Sequence, residues 1–154
     1  MLFRSGAQGY LRDFKNGEVK LRPPSKFKEL LKMFKIVFLD ENELRSLKKT
    51  KAESIRDVFR RLSLHKLEEI VVTCGDRGSW IYSAENKLYK IKAYPPYKVS
   101  DPTGLGDTYL AAYLSCKRND ADIFNCGEFA ARLATIKLEN KKSWPDLLNQ
   151  GRFF

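Results

Sequence analysis

Asp101-Pro-Thr-Gly-Leu-Gly-Asp107 runs directly into Thr108-Tyr-Leu-Ala-Ala-Tyr-Leu-Ser115. A loop rich in Pro and Gly, Ser100 to Gly106, gives way to a helix of small residues expected from about Asp107 to Lys117. Glycine lets backbone approach a ligand closely and tolerates unusual φ. The free N–H groups at a helix N-terminus, with the helix dipole behind them, form an anion site. An Asp on that first turn sits beside the anion and can accept a proton from a hydroxyl while the N–H groups hold developing negative charge. These ingredients suit phosphoryl transfer, where positioning and charge stabilisation dominate. The plain reading of the same residues is a helix-start Asp and a glycine turn.

Upstream, buried strands alternate with amphipathic helices. Phe27, Leu30, Leu31 and Phe34 recur at helical spacing, and Ile36-Val-Phe-Leu39 reads as a short strand. Asp40 starts a helix with Glu41 and Glu43 in its first turn. A second helix carries Ile55, Val58, Phe59 and Leu62 inside and Arg56, Asp57, Arg60 and Arg61 outside. Glu69-Ile-Val-Val-Thr-Cys74 is a buried strand stopped by Gly75. Gly78–Ser83 and Lys87–Ala93 alternate on either side of the Ala84–Asn86 turn, which makes a hairpin. Downstream, a long helix from about Asp120 to Glu139 would bury Ile123, Phe124, Phe129, Ala130, Leu133, Ala134 and Ile136. The tail after Trp144-Pro145 reads as loosely tied.

This alternation predicts a three-layer α/β sandwich. Its sheet is mostly parallel, with helices on both faces and an antiparallel hairpin at one edge. The 154 residues suit one compact domain, 1–154. No apolar run approaches the roughly 20 residues that cross a membrane, and no signal-peptide pattern opens the chain, so a cytoplasmic protein is expected. Cys74, Cys116 and Cys126 are odd in number and far apart, which argues against a disulfide framework or zinc site. The +10 charge favours an anionic partner. However, Lys26, Lys28, Lys32, Lys35, Lys48, Lys49, Lys51, Arg56, Arg60 and Arg61 are scattered over helix faces. With no nucleic-acid motif beside them, a basic solvated surface is the better reading than a nucleic-acid patch.

The Asp101–Asp107 string with its small-residue helix resembles the second signature of the ribokinase-like, PfkB carbohydrate kinases, usually written D-T-x-G-A-G-D. The resemblance implies Asp107 as catalytic base and Gly104, Leu105 and Gly106 as a backbone anion hole. It places Asp101 and Thr103 near a monovalent-cation site, which potassium would fill. Val72-Thr-Cys-Gly-Asp-Arg-Gly-Ser79 is similar to the family's V-T-x-G-x-x-G segment, which makes Thr73, Gly75 and Gly78 nucleotide-side residues. Phe38-Leu-Asp-Glu-Asn-Glu43 resembles the N-x-x-E region that organises magnesium and phosphate, with Asp40 in place of Asn and Glu43 as the matching acid. Phe129-Ala-Ala-Arg-Leu-Ala134 resembles the alanine-rich helix beside the adenine, implicating Ala130 and Ala134. Gly6-Ala-Gln-Gly-Tyr-Leu-Arg12 is similar to the D-x-Q-G-x-x-R stretch of archaeal-type members, with Gly6 in place of Asp. Leu105 stands where the family has a small residue, so a branched side chain crowds the expected phosphate path.

The resemblance covers the second half of the family pattern. The family's sugar-binding residues, di-glycine hinge and β-sheet lid have no counterpart in it. What it implies is an ATP- and magnesium-dependent kinase domain acting on a hydroxyl of a sugar, nucleoside or related alcohol. ATP would bind between the Thr73–Gly78 turn and the Gly104–Asp107 loop. The competing readings are a nucleotide-binding or regulatory remnant without turnover, working with a separate N-terminal half or a second copy of the chain, and a basic nucleic-acid binder. His65, Trp80, Tyr109 and Tyr113 read as surface or packing residues.

Overall fold

The computed structural model describes residues 3–6, 12–15, 18–21, 29, 31–50, 52–63 and 67–140. Strands are β1 (Phe3–Gly6), β2 (Arg12–Lys15), β3 (Glu18–Leu21), β4 (Phe34–Asp40), β5 (Glu69–Thr73), β6 (Ser79–Ser83) and β7 (Leu88–Ile91). Helices are α1 (Glu41–Ser46), α2 (Ile55–Ser63), α3 (Leu105–Lys117) and α4 (Ile123–Glu139). The chain forms two compact units, one of Met1–Gly75 with Ser79–Lys90 and the other of Asp76–Gly78 with Ile91–Phe154.

The fold is α/β, as the alternation of elements predicts. A five-stranded sheet has the order β1-β4-β5-β6-β7, and β2 and β3 form a separate antiparallel pair. β1 and β4 are parallel, as are β4 and β5, whereas β6 runs antiparallel to β5. The helical crossover through α1 and α2 lets β4 and β5 run the same way. Their residues are apolar almost throughout because both faces are covered. Val37, Leu39, Ile70 and Val72 join one cluster with Leu44 of α1 and Val58, Phe59 and Leu62 of α2, and the Phe59 ring stacks on Tyr82 at 5.2 Å. Ile36, Phe38, Val71 and Ile81 alternate with that set and are buried on the other face.

The expected strand at Ile36–Leu39 is longer, and its first residue, Phe34, belongs to it rather than to a helix. Glu29 and Leu31 are helical, while Phe27 and Leu30 lie outside the described residues. Arg61 is not an outward cation. It donates from Nε and Nη2 to the two Glu53 carboxylate oxygens, both at 3.1 Å, and from Nη2 to the Leu47 carbonyl at 2.7 Å. The β2–β3 pair was not anticipated. Its register joins Lys15 to Glu18 across Asn16-Gly17, and an Asn-Gly connection is a strong hairpin signal.

In the second unit α3 and α4 pack along one another. α4 starts at Ile123 rather than Asp120, because Asp122 is its N-cap and accepts the Asn125 N–H at 2.9 Å. Phe124 and Phe129, expected inside, are 46% and 43% exposed. Ile123, Leu133, Ala134 and Ile136 are half-buried, and the buried face is Cys126, Gly127, Ala130 and Ala131. The reason is steric. Tyr109 and Tyr113 of α3 are buried and stacked 6.4 Å apart, and small residues on α4 give that bulk room. Cys74, Cys116 and Cys126 are not joined in disulfides. No described helix is long and apolar enough to cross a membrane. His65, most of the Gly6–Arg12 stretch and the tail from residue 141 lie outside the described residues.

Candidate active site

The first unit brings two of the sequence-marked segments together. Asp40 and Thr73 are register partners at the C-terminal ends of parallel strands β4 and β5, and Thr73 also pairs with Ser79. Asp40 and Glu43 form a capping box: Asp40 Oδ1 accepts the Glu43 N–H at 2.7 Å, and Glu43 Oε2 accepts the Asp40 N–H at 2.8 Å. Glu43 is fully buried. The cap engages Oε2 of Glu43, which leaves its other carboxylate oxygen outside this pair of bonds. Among the described residues no three His, Cys, Asp or Glu side chains are grouped to hold a metal ion. A cleft of about 530 Å³ lined by Arg45, Lys48, Lys49, Thr50 and Ile55 contains none of the expected site residues.

Leaving β5, the chain makes a 3-10 turn over Gly75–Arg77, framed by Gly75 at φ 61° and Gly78 at φ 88°. Open space surrounds the missing Cβ of Gly75, whereas a Cβ on Gly78 would stand 2.0 Å from the Ile91 carbonyl oxygen. Only glycine fits at 78. Asp76–Gly78 groups with the unit that also holds the Asp101–Asp107 loop.

That loop is built from its own backbone. Asp101 Oδ1 accepts the Thr103 N–H at 2.9 Å, a local turn typical of Asp. Gly104 follows as the N-cap of α3 in the left-handed conformation, φ 75° and ψ 12°, with no side-chain cap. α3 therefore begins at Leu105, two residues earlier than expected, and Asp107 is the third residue of its first turn. The Leu105 N–H reaches the Pro102 carbonyl at 3.4 Å, and Thr108 is the first amide bonded four residues back, to the Gly104 carbonyl at 2.9 Å. Gly106 and Asp107 lie between them, where a helix provides no internal acceptor. Asp107 is exposed, half-buried Leu105 beside it. Ala130 is fully buried and Ala134 half-buried on α4.

The segment leading into the loop is fastened to α4. Tyr94 donates its hydroxyl to Glu128 Oε2 and accepts from Arg132 Nε at 3.0 Å, and the Arg132 guanidinium lies 5.1 Å over its ring. The Tyr94 hydroxyl is the first cause of the raised pKa of Arg132. Thr135 Oγ1 donates to the Tyr94 carbonyl at 3.1 Å. These contacts were not foreseen, since nothing in Tyr94, Glu128 or Arg132 as letters marks partners more than thirty residues apart.

The pattern of the pfkB family carbohydrate kinases matches residues 12–147. Over 78 residues the chain is 37% identical to a nucleoside kinase of Methanocaldococcus jannaschii, a match covering 51% of this chain and 26% of that one. It is 27% identical over 117 residues to a cytidine kinase of Thermococcus kodakarensis, covering 76% of this chain and 41% of that one. The chain thus spans less than half the length of these relatives. Among solved structures, a pyrophosphate-dependent kinase in the ribokinase family, complexed with a pyrophosphate analog and myo-inositol, superposes with a TM-score of 0.79 at 22% identity, covering 97% of this chain and 53% of that one. The likeness bears on the fold, and the match over 12–147 on descent: this chain belongs to the pfkB family of carbohydrate kinases.

Proposed function

We propose that residues 1–154 form the nucleotide-binding domain of a small-molecule kinase that transfers phosphate from ATP to a hydroxyl of a sugar, nucleoside or related alcohol. One observation carries this: α3 opens on a left-handed glycine without a side-chain cap, so its first-turn amides face an incoming anion with Asp107 on the same turn. Asp107 takes the proton from the acceptor hydroxyl. The hydroxyl oxygen then bonds to the terminal phosphorus as the bond from that phosphorus to the leaving ADP oxygen breaks. The Gly106 and Asp107 amides, with Gly104 and Leu105 shaping the turn, hold the developing charge. Gly78 shapes the other phosphate-side turn, which Thr73 and Gly75 lead into, and Ala130 and Ala134 belong to the adenine-side helix.

Magnesium would neutralise charge on the donor phosphates and arrive with them, as is usual for an ion bound through substrate oxygens. Asp40 and Glu43 would lie in the magnesium region, at the β4–α1 junction. Asp101 and Thr103 would answer to potassium. An ATP-dependent reaction also agrees with the cytoplasmic location expected from the sequence. Leu105 favours a second reading, a nucleotide-binding remnant without turnover, because its side chain stands where the family keeps the phosphate path clear. Phosphate transfer from ATP and magnesium to a panel of sugars and nucleosides separates the two. It is run with the chain alone and mixed with a candidate first half. Transfer in the mixture that Asp107→Asn abolishes supports a kinase, and binding without transfer in either case supports the remnant.

A further inference from the structure

The last four carbonyls of any helix lack partners within it. In α4 all four are satisfied, and by two different routes. Asn140 takes the first pair: its side-chain amide donates to the Ile136 carbonyl at 2.7 Å and its backbone N–H to the Lys137 carbonyl at 3.2 Å. The second pair is capped from elsewhere in the chain. The Ser100 N–H donates to the Leu138 carbonyl at 2.9 Å, the Asp101 N–H approaches the same oxygen at 3.4 Å, and Ser100 Oγ donates to the Glu139 carbonyl at 3.0 Å. The entrance to the Asp101–Asp107 loop therefore completes the capping that Asn140 begins at the end of α4. From there the chain is short and stiff. Pro102 follows Asp101, the Asp101 carboxylate holds the Thr103 N–H, and Gly104 starts α3. On the far side of the loop α3 is tied to the same helix, where Tyr109 Oη approaches the Gly127 carbonyl at 3.4 Å.

We propose that Ser100 is a positioning residue for the anion-binding turn. By capping α4 it fixes where Asp101 stands, and so the orientation of the first-turn amides and of Asp107. The functional part of this rests on the reading of that turn as the donor-phosphate site. Ser100 itself touches no substrate. Its hydroxyl contact to the Glu139 carbonyl is one that a substitution removes while the Ser100 backbone bond stays in place.

The test compares wild type, Ser100→Ala and Ser100→Thr by amide hydrogen exchange and by calorimetric titration with ATP and magnesium. Loss of one hydrogen bond of ordinary net strength corresponds to roughly a fivefold change. Ser100→Ala should raise exchange at Thr103 and Thr108 by about that factor and weaken ATP binding similarly. Amides in the middle of α3 and α4 and the melting temperature should stay close to wild type. Ser100→Thr, which keeps the hydroxyl, should restore both readouts. Unchanged exchange at Thr103 and Thr108 in Ser100→Ala overturns the proposal, and so does a uniform rise across both helices, which marks a general packing loss. If wild type binds no ATP, the donor-site reading falls, and the exchange comparison still decides whether Ser100 positions the turn.

Discussion

Asp40 and Glu43 each accept the other's backbone N–H, at 2.7 and 2.8 Å, across the junction where β4 becomes α1. Asn and Asp cap helices about equally well, and Ala caps poorly. Asp40→Asn should therefore leave stability close to wild type, whereas Asp40→Ala should cost about 0.5–2 kcal/mol. Urea unfolding midpoints measure both. An Asp40→Ala midpoint equal to wild type would show that the cap adds no stability.

The two glycines that frame the turn after β5 make opposite demands. Gly75 is left-handed with open space around it, so Gly75→Ala should carry only backbone strain, about 1–2 kcal/mol. Gly78→Ala would drive a methyl group to 2.0 Å from the Ile91 carbonyl oxygen, which is backbone and cannot swing aside. Thermal melts should show Gly75→Ala folded with a lowered midpoint and Gly78→Ala far less stable or unfolded. Similar losses in the two variants would contradict this geometry.

Glu53 has its pKa held below the ordinary value of 4.5, first by the hydrogen bond from the Arg61 side chain and next by the Lys49 amide. A depressed carboxylate adds stability that is complete above 4.5 and is lost as pH falls through the folded-state value. Wild type should lose stability on acidification below 4.5 more steeply than Glu53→Gln, which has no such proton to take up. Parallel stability curves in urea across that range would show that the pair does not couple to folding.

The sequence made β4, β5, the β6–β7 hairpin and α1 readable because each is local: an apolar run, a glycine stop, an Asp with an acidic first turn. The same local chemistry marks Gly104–Asp107 as a glycine turn leading into α3. What escaped depends on neighbours. Phe124 and Phe129 look like core residues, yet the space against α3 is already filled by Tyr109 and Tyr113, so Cys126, Gly127, Ala130 and Ala131 take the inner face. The spacing of Asp40 and Glu43 carries two readings, since N-x-x-E is both a family signature and the spacing of a capping box. The Ser100 and Tyr94 contacts join positions roughly forty residues apart, beyond any periodicity.

Asp107 is exposed, and no ion pair of its carboxylate is present among the described residues, so its replacement should spare the fold. In the mixture with a candidate first half, Asp107→Asn should lower phosphate transfer by about 10²–10⁴, the usual contribution of a positioned base. The chain alone should transfer poorly, because an acceptor not held in line forfeits up to roughly 7–11 kcal/mol of barrier reduction. Rapid transfer by the chain alone, unaffected by Asp107→Asn, would misplace the chemistry.

On the proposed function, the first turn of α3 holds the phosphates of the donor. This is tested most directly by titrating ATP and magnesium into the isotope-labelled chain and following backbone amide resonances. Gly106 and Asp107 should shift most, Gly78 should shift with them, and the shifts should saturate by millimolar nucleotide. Saturable binding that leaves Gly106 and Asp107 unmoved, or no binding at millimolar nucleotide, would contradict it.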